Sequence, residues 1–176
     1  MNYASIREMD ISNGEGIGVA LFVQGCRFHC FNCFNTETWD FDGGKEWTED
    51  IKSKFLKLID KPYINRISLL GGEPLVDENV ENILNLVSEI RIAFPDKSIW
   101  IYTGYTIEEA IKKNGLTYSD IQLKRLHILK QCDVLVDGRY IDSERDITLK
   151  WRGSKNQRVI DLKETFKQKQ VVLYCD

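Results

Sequence analysis

Long apolar runs, internal repeats, low-complexity tracts and Pro/Gly linkers are all missing from this chain. No stretch approaches the ~20 apolar residues that a membrane-spanning helix requires, so no membrane role is expected. The first residues, Met1 to Arg7, lack the apolar core of a signal peptide, and the expected location is the cytoplasm. With no composition break to mark a boundary, residues 1–176 are expected to form one domain. Such a length buries roughly two-thirds of the unfolded surface. Excess charge is also scarce: a net charge of −3 gives no pull toward nucleic acid or an anionic membrane. Five cysteines are an odd number, which argues against a disulfide framework. In a reducing compartment, clustered thiols serve metal binding or redox chemistry instead.

What is present alternates between short apolar runs and longer amphipathic ones. Residues 19–24, Ile67-Ser68-Leu69-Leu70, Ile99-Trp100-Ile101-Tyr102 and Val134-Leu135-Val136 read as strands covered on both faces. Helical spacing places Ile51, Phe55 and Leu58 on one face of 49–59, and Val80, Ile83, Leu84, Val87, Ile90 and Phe94 on one face of 78–94, with Asp77 as N-cap. Thr106-Ile107-Glu108-Glu109 and Ser119-Asp120-Ile121-Gln122 fit the capping-box pattern and start two short helices, which Gly115 separates. This alternation predicts an α/β fold, a partial open (βα) barrel of four to six parallel strands; a closed eight-fold barrel takes about 250 residues. Ile6–Ile11, Arg158–Ile160 and Val171–Tyr174 are further edge-strand candidates. The basic stretch from Lys150 to Lys169 reads as a solvated tail, or as a docking surface for an acidic partner.

The strand ends carry the chemistry. Gln24-Gly25-Cys26, Gly71-Gly72-Glu73-Pro74, Thr103-Gly104-Tyr105 and Asp137-Gly138-Arg139-Tyr140 each follow a strand, at the edge where parallel sheets bind ligands. The first opens the loop Cys26-Arg27-Phe28-His29-Cys30-Phe31-Asn32-Cys33. With His29, its thiols give a Cys3His zinc set, although no second knuckle is present. Cys30 and Cys33 alone give a redox pair that leaves Cys26 idle. A cubane iron–sulfur cluster uses all three sulfurs and leaves one iron without a protein ligand, open to a small molecule. In the Gly71-Gly72-Glu73-Pro74 turn the glycines allow close backbone approach, and Glu73 or neighbouring carbonyls accept from an ammonium group. Asp137 and Arg139 form a surface pair or help position a ligand. Cys132 reads as a packing residue.

Together these motifs resemble the radical S-adenosylmethionine superfamily, whose signature is C-x3-C-x2-C after the first strand and a GGEP-type loop after the second. Asn13-Gly14-Glu15-Gly16, Trp100-Ile101-Tyr102-Thr103-Gly104-Tyr105 and above all Trp151-Arg152-Gly153-Ser154-Lys155-Asn156-Gln157-Arg158 make it similar to the branch that activates glycyl-radical enzymes. The resemblance spans about residues 10–160. It implies a [4Fe-4S] cluster on Cys26, Cys30 and Cys33, with S-adenosylmethionine chelating the fourth iron. Gly71, Gly72 and Glu73 would hold the methionine amino end and Thr103 the ribose. Asn32 and Phe34 would flank the cluster near the adenine. Asn32 stands where many members carry an aromatic residue. The implied partners are the glycyl-radical (large) subunit of an anaerobic ribonucleotide reductase and a reduced flavodoxin-type electron donor. Trp151 is expected to touch the protein partner.

Overall fold

Strands that are apolar at consecutive positions need cover on both faces, and here the two faces are covered differently. The computed structural model describes residues 1–175. In chain order, β1 (Asn2–Asp10) and β2 (Gly18–Val23) precede the two-residue β3 (Lys45–Glu46) and α1 (Glu49–Ile59). The middle consists of β4 (Arg66–Gly71), α2 (Asp77–Ala93), β5 (Ser98–Tyr102), α3 (Ile107–Ala110), α4 (Asp120–Gln131) and β6 (Val134–Asp137). β7 (Arg158–Asp161), α5 (Leu162–Gln168) and β8 (Leu173–Cys175) follow. Among the described residues, eight strands form one open sheet in the order β3-β1-β2-β4-β5-β6-β7-β8.

The sheet is mixed. β2, β4, β5 and β6 run parallel at its centre. β1, β3, β7 and β8 pair antiparallel on the two flanks. The expected parallel set is therefore confined to the four central strands. The N-terminal strand begins at Asn2 and is not an edge, because β3 pairs beyond it. On the C-terminal flank β6 reaches β7 through residues 138–157 and β7 reaches β8 through α5, and both pairs are antiparallel, so the edge-strand candidates at Arg158–Ile160 and Val171–Tyr174 lie outside the parallel alternation of the centre.

Side-chain alternation divides the core. Val19, Leu21, Val23, Ile67, Leu69, Ile99, Ile101, Leu135 and Ile160 join Phe55, Ile83, Val87, Ile90 and Ile128 of the helices in the main core. The alternate residues Ala20, Phe22, Leu70, Trp100, Val134, Val136 and Val159 fill smaller clusters on the opposite face. That helix-free face fronts a cavity. Helix starts follow local chemistry: Thr48 caps α1, and both expected capping boxes are present, Thr106 with Glu109 and Ser119 with Gln122. Asp77 is not an N-cap. Val76 holds that position, while Asp77 lies in the first turn and pairs with Arg125 at 2.9 Å. Among the described residues, no helix is long and apolar enough to cross a membrane.

Candidate functional site

The loops after β2, β4, β5 and β6 converge on a cavity of about 520 Å³ over the helix-free face. The cysteine loop is fixed from below. Gly25 donates to the Thr38 carbonyl at 2.9 Å and Cys26 to that of Trp39 at 3.0 Å. Within the loop, Cys33 N–H donates to the Cys30 carbonyl at 3.1 Å, and Asn35 N–H to Cys33 Sγ at 3.4 Å. His29 and Asn32 take left-handed backbone conformations, which turn the chain between the cysteines. All three cysteines line the cavity. Burial pushes the Cys26 and Cys30 thiols up, an effect that backbone N–H groups of Phe28 and Tyr140 partly offset.

The glycine turn docks directly on this loop. Gly72 N–H donates to the Val23 carbonyl and Glu73 N–H to the Gly25 carbonyl, both at 2.8 Å. A Cβ on Gly72 would lie 2.6 Å from the Gly25 carbonyl oxygen, and Gly71 has φ +102°, so neither position accepts a side chain without strain. The Glu73 carboxyl is buried and already occupied. Oε1 accepts from Leu75 N–H and Thr103 Oγ1, each at 2.8 Å, and Oε2 accepts from Gly104 N–H at 2.7 Å. Burial pushes its pKa up to about 7 against those donors. Glu73 thus ties the β4 loop to the β5 loop.

A stack of rings and guanidinium groups holds the loops in register. Arg125 of α4 donates to the Leu75 carbonyl at 2.8 Å and lies 4.4 Å from the Tyr105 ring centre. Tyr105 meets Phe28 of the cysteine loop edge-on at 4.8 Å, and Arg139 covers Phe28 at 4.6 Å. Arg139 is therefore not the partner of Asp137. Asp137 is fully buried; it accepts from Ile107 N–H at 2.8 Å and from Arg158 Nε at 2.9 Å. Arg158 is drawn inward onto Asp137, whereas Lys155, Lys163 and Lys167 pair with acids at the surface and stay mostly exposed.

The segment from Trp151 to Arg158 forms the cavity's far wall. Gln157 Oε1 accepts from Gly153 N–H at 2.9 Å and from Ser154 N–H at 3.1 Å, while its Nε2 donates to the Gly138 carbonyl at 2.9 Å. Trp151, with φ +59°, packs edge-on against Trp100 at 4.9 Å and tilts over Tyr174. It is a half-buried wall residue as well as a cavity-lining one.

Cys26, Cys30, Cys33, Phe34, Gly71, Gly72, Glu73 and Thr103 all line the cavity. Asn32 does not; it is exposed at the turn. Arg7, Tyr102, Arg145 and Arg152 also line the cavity, and none of them was named as a site residue from the sequence. Tyr102 and Arg152 entered the sequence reading only as members of the Trp100–Tyr105 and Trp151–Arg158 motifs. Chemically the donor set suits an iron–sulfur cluster: three thiols from one loop face one space. The zinc alternative needed His29, which instead stacks on Trp39 with ring centres 4.5 Å apart. Among the described residues, no three His, Cys, Asp or Glu side chains close on a single metal ion; a cubane, whose corners are separate irons, does not require that.

Residues 12–160 match the family model described as a 4Fe-4S single cluster domain. The chain is 39% identical over 161 residues to the anaerobic ribonucleoside-triphosphate reductase-activating protein of Enterobacteria phage T4, covering 90% of this chain and 93% of that protein. It is 36% identical over 165 residues to the protein of the same name from Escherichia coli (strain K12), covering 93% of this chain and all of the other. The namesake from Vibrio cholerae serotype O1 is 36% identical over 159 residues, 89% of this chain and 96% of its own. With three thiols and a glycine turn around one cavity, and with likeness running almost end to end, the chain belongs to the 4Fe-4S single cluster domain family and, within it, to the anaerobic ribonucleoside-triphosphate reductase-activating proteins.

Proposed function

We propose that this chain binds a [4Fe-4S] cluster through Cys26, Cys30 and Cys33, reductively cleaves S-adenosylmethionine, and installs a glycyl radical on the large subunit of an anaerobic (class III) ribonucleotide reductase. One observation carries the reading: three thiols of an eight-residue loop and a side-chain-free glycine turn face the same cavity at the carboxyl ends of parallel strands. The relatives' shared name supports the choice of partner. When bound, the cluster supplies one electron to the sulfonium carbon–sulfur bond, giving methionine and a 5′-deoxyadenosyl radical that takes a hydrogen atom from the reductase glycine.

The chain's own residues hold and shield that chemistry. Cys26, Cys30 and Cys33 would hold iron as thiolates, with their protons released to solvent, because a bound cation strongly favours the deprotonated thiol. Gly71 and Gly72 let backbone approach the methionine amino group. Thr103 faces the ribose and Phe34 the adenine, with Asn32 shaping the turn beside them. Phe22, Leu70 and Val136 form an apolar floor that excludes water and offers no reactive acid or thiol. In this reading, residues 1–176 are one domain in which the sheet curves as a partial (βα) barrel. It works in the cytoplasm with a reduced flavodoxin-type donor.

Anaerobic reconstitution tests the proposal. The expected product is a brown protein with about four irons per chain that releases 5′-deoxyadenosine with dithionite and S-adenosylmethionine. Alanine at Cys26, Cys30 or Cys33 should abolish that release, while Cys132→Ala should keep it, since Cys132 is buried in the helix-side core. A colourless zinc protein would overturn the reading.

A further inference from the structure

Buried polar groups are nearly always hydrogen-bonded, so those left without a partner point to something that arrives later. Among the described residues, four buried side-chain atoms have none: Gln24 Oε1, Trp39 Nε1, Tyr102 Oη and Arg152 Nε. Trp39, Tyr102 and Arg152 all line the one cavity. Trp39 stacks on His29 of the cysteine loop. Tyr102 stands on the sheet floor, packed between the clusters around Phe22 and Trp100, and Arg152 stands in the far wall. Tyr102 and Arg152 thus line the cavity from the sheet floor and the far wall, each with one buried polar atom that lacks a partner.

We propose that Tyr102 Oη and Arg152 Nε form a main-chain subsite, which holds the glycine-bearing segment of the substrate protein by its peptide groups. This rests on the activase reading and names the groups that seat its substrate. A glycine offers a site nothing but backbone, and its carbonyl and N–H lose water on entering a cavity. They therefore need donors and acceptors already in place. Tyr102 supplies a hydroxyl that can donate or accept, and Arg152 an N–H that can only donate. Burial holds the phenol proton on, since it drives the Tyr102 pKa far upward. The mouth suits an incoming chain rather than a small solute alone. Phe34 and Ile147 line the cavity yet are 58% and 86% exposed, an apolar rim open to a protein surface.

Acceptor oxygens of S-adenosylmethionine could satisfy the same two donors, so the experiment separates the two sources. The full chain carrying its cluster is assayed with reductant, S-adenosylmethionine and increasing reductase. Released 5′-deoxyadenosine and the glycyl-radical EPR signal are both counted. Tyr102→Phe and Arg152→Met should each raise the half-saturating reductase concentration about tenfold, the scale of one lost buried hydrogen bond. Each should also lower the yield of glycyl radical per 5′-deoxyadenosine. Arg152→Lys, which keeps the charge and loses the Nε–H, should behave like Arg152→Met. Tyr102→Phe keeps the ring that packs on the sheet, and an unchanged melting curve confirms its fold. The inference is overturned if reductase saturation and radical yield both stay at wild type, or if Arg152→Lys restores them. It is also overturned if S-adenosylmethionine affinity drops while radical per 5′-deoxyadenosine holds, because the groups then serve the cofactor. A wild-type chain that releases no 5′-deoxyadenosine overturns the activase reading itself, a different result from any of these.

Discussion

Glu73 is a buried carboxyl facing three donors, two of them backbone N–H groups that cannot turn away. Thr103 Oγ1 is the exception, because a hydroxyl can reverse and accept when the carboxyl is protonated. Glutamine at this position has one acceptor oxygen. Whichever way its amide turns, Leu75 N–H or Gly104 N–H faces an NH₂ group. Glu73→Gln should therefore cost about 1–3 kcal/mol, the price of one unsatisfied buried donor. The loss has a pH signature. Burial raises the Glu73 pKa from its ordinary 4.5 to about 7, so the folded chain keeps a proton that the unfolded chain has released. Wild-type stability should then fall as pH rises through that window, while the neutral amide has no such slope. Urea unfolding of the two proteins at pH 6 and pH 8 should show the gap narrowing at the higher pH. A gap of constant size would mean that the carboxyl is ionised throughout.

At the scale of elements, the stack from Arg125 through Tyr105 and Phe28 to Arg139 joins α4, the β5 loop, the cysteine loop and the β6 loop. An edge-on aromatic pair adds about 0.5–1.5 kcal/mol beyond its buried area, and a partly buried cation over a ring adds a similar amount. Tyr105→Leu keeps the burial and loses both, so it should weaken the cysteine loop's anchorage by about 2 kcal/mol. Faster iron loss to a chelator is the expected readout. Tyr105→Phe gives up only a 3.3 Å bond from Arg125 and should stay near wild type. If both variants shed iron at the wild-type rate, the stack does not hold the loop. Neither ring announced itself in the sequence, because Phe28 and Tyr105 meet only in the fold. What was legible had local causes: the cysteine spacing, the glycine turn, the capping boxes at Thr106 and Ser119, and the doubly apolar central strands. What was not legible had distant ones. Asp77 turned from cap to ion-pair partner because Arg125 lies 48 residues away. β1 extended to Asn2 because it pairs with β2 on one side and β3 on the other. Tyr102 and Arg152 stand in the Trp100–Tyr105 and Trp151–Arg158 motifs, but only the fold shows that their polar atoms lack partners.

For the whole molecule, the question is what holds the segment before β2 against the helix-free face of the sheet. Arg66, at the start of β4, is fully buried on that face. Its guanidinium donates to the carbonyls of Asp10 at 2.7 Å, Asn13 at 2.8 Å and Glu15 at 3.1 Å, and to Asp10 Oδ2 at 2.9 Å. Gly14 leaves room for it: a Cβ there would lie 2.5 Å from Arg66 Cδ. One side chain thereby pins the 10–16 loop, whose Ser12 and Asn13 line the cavity. Burial alone would raise the Asp10 carboxyl, but hydrogen bonds from Arg66 and Asn13 outweigh it and hold the carboxyl below its usual range, so it is charged at neutral pH. Removing Arg66 strands that charge. Arg66→Met should cost about 3–5 kcal/mol at pH 7, the scale seen when one partner of a buried ion pair is deleted. Asp10→Asn should cost less, since the guanidinium keeps its carbonyl acceptors. The double variant should lose less than the sum of the two, because the methionine no longer faces a buried charge. Urea unfolding of the four proteins reads this coupling directly. Simple additivity would show that the carbonyl bonds alone hold the loop and that the ion pair contributes nothing to closing this side of the cavity.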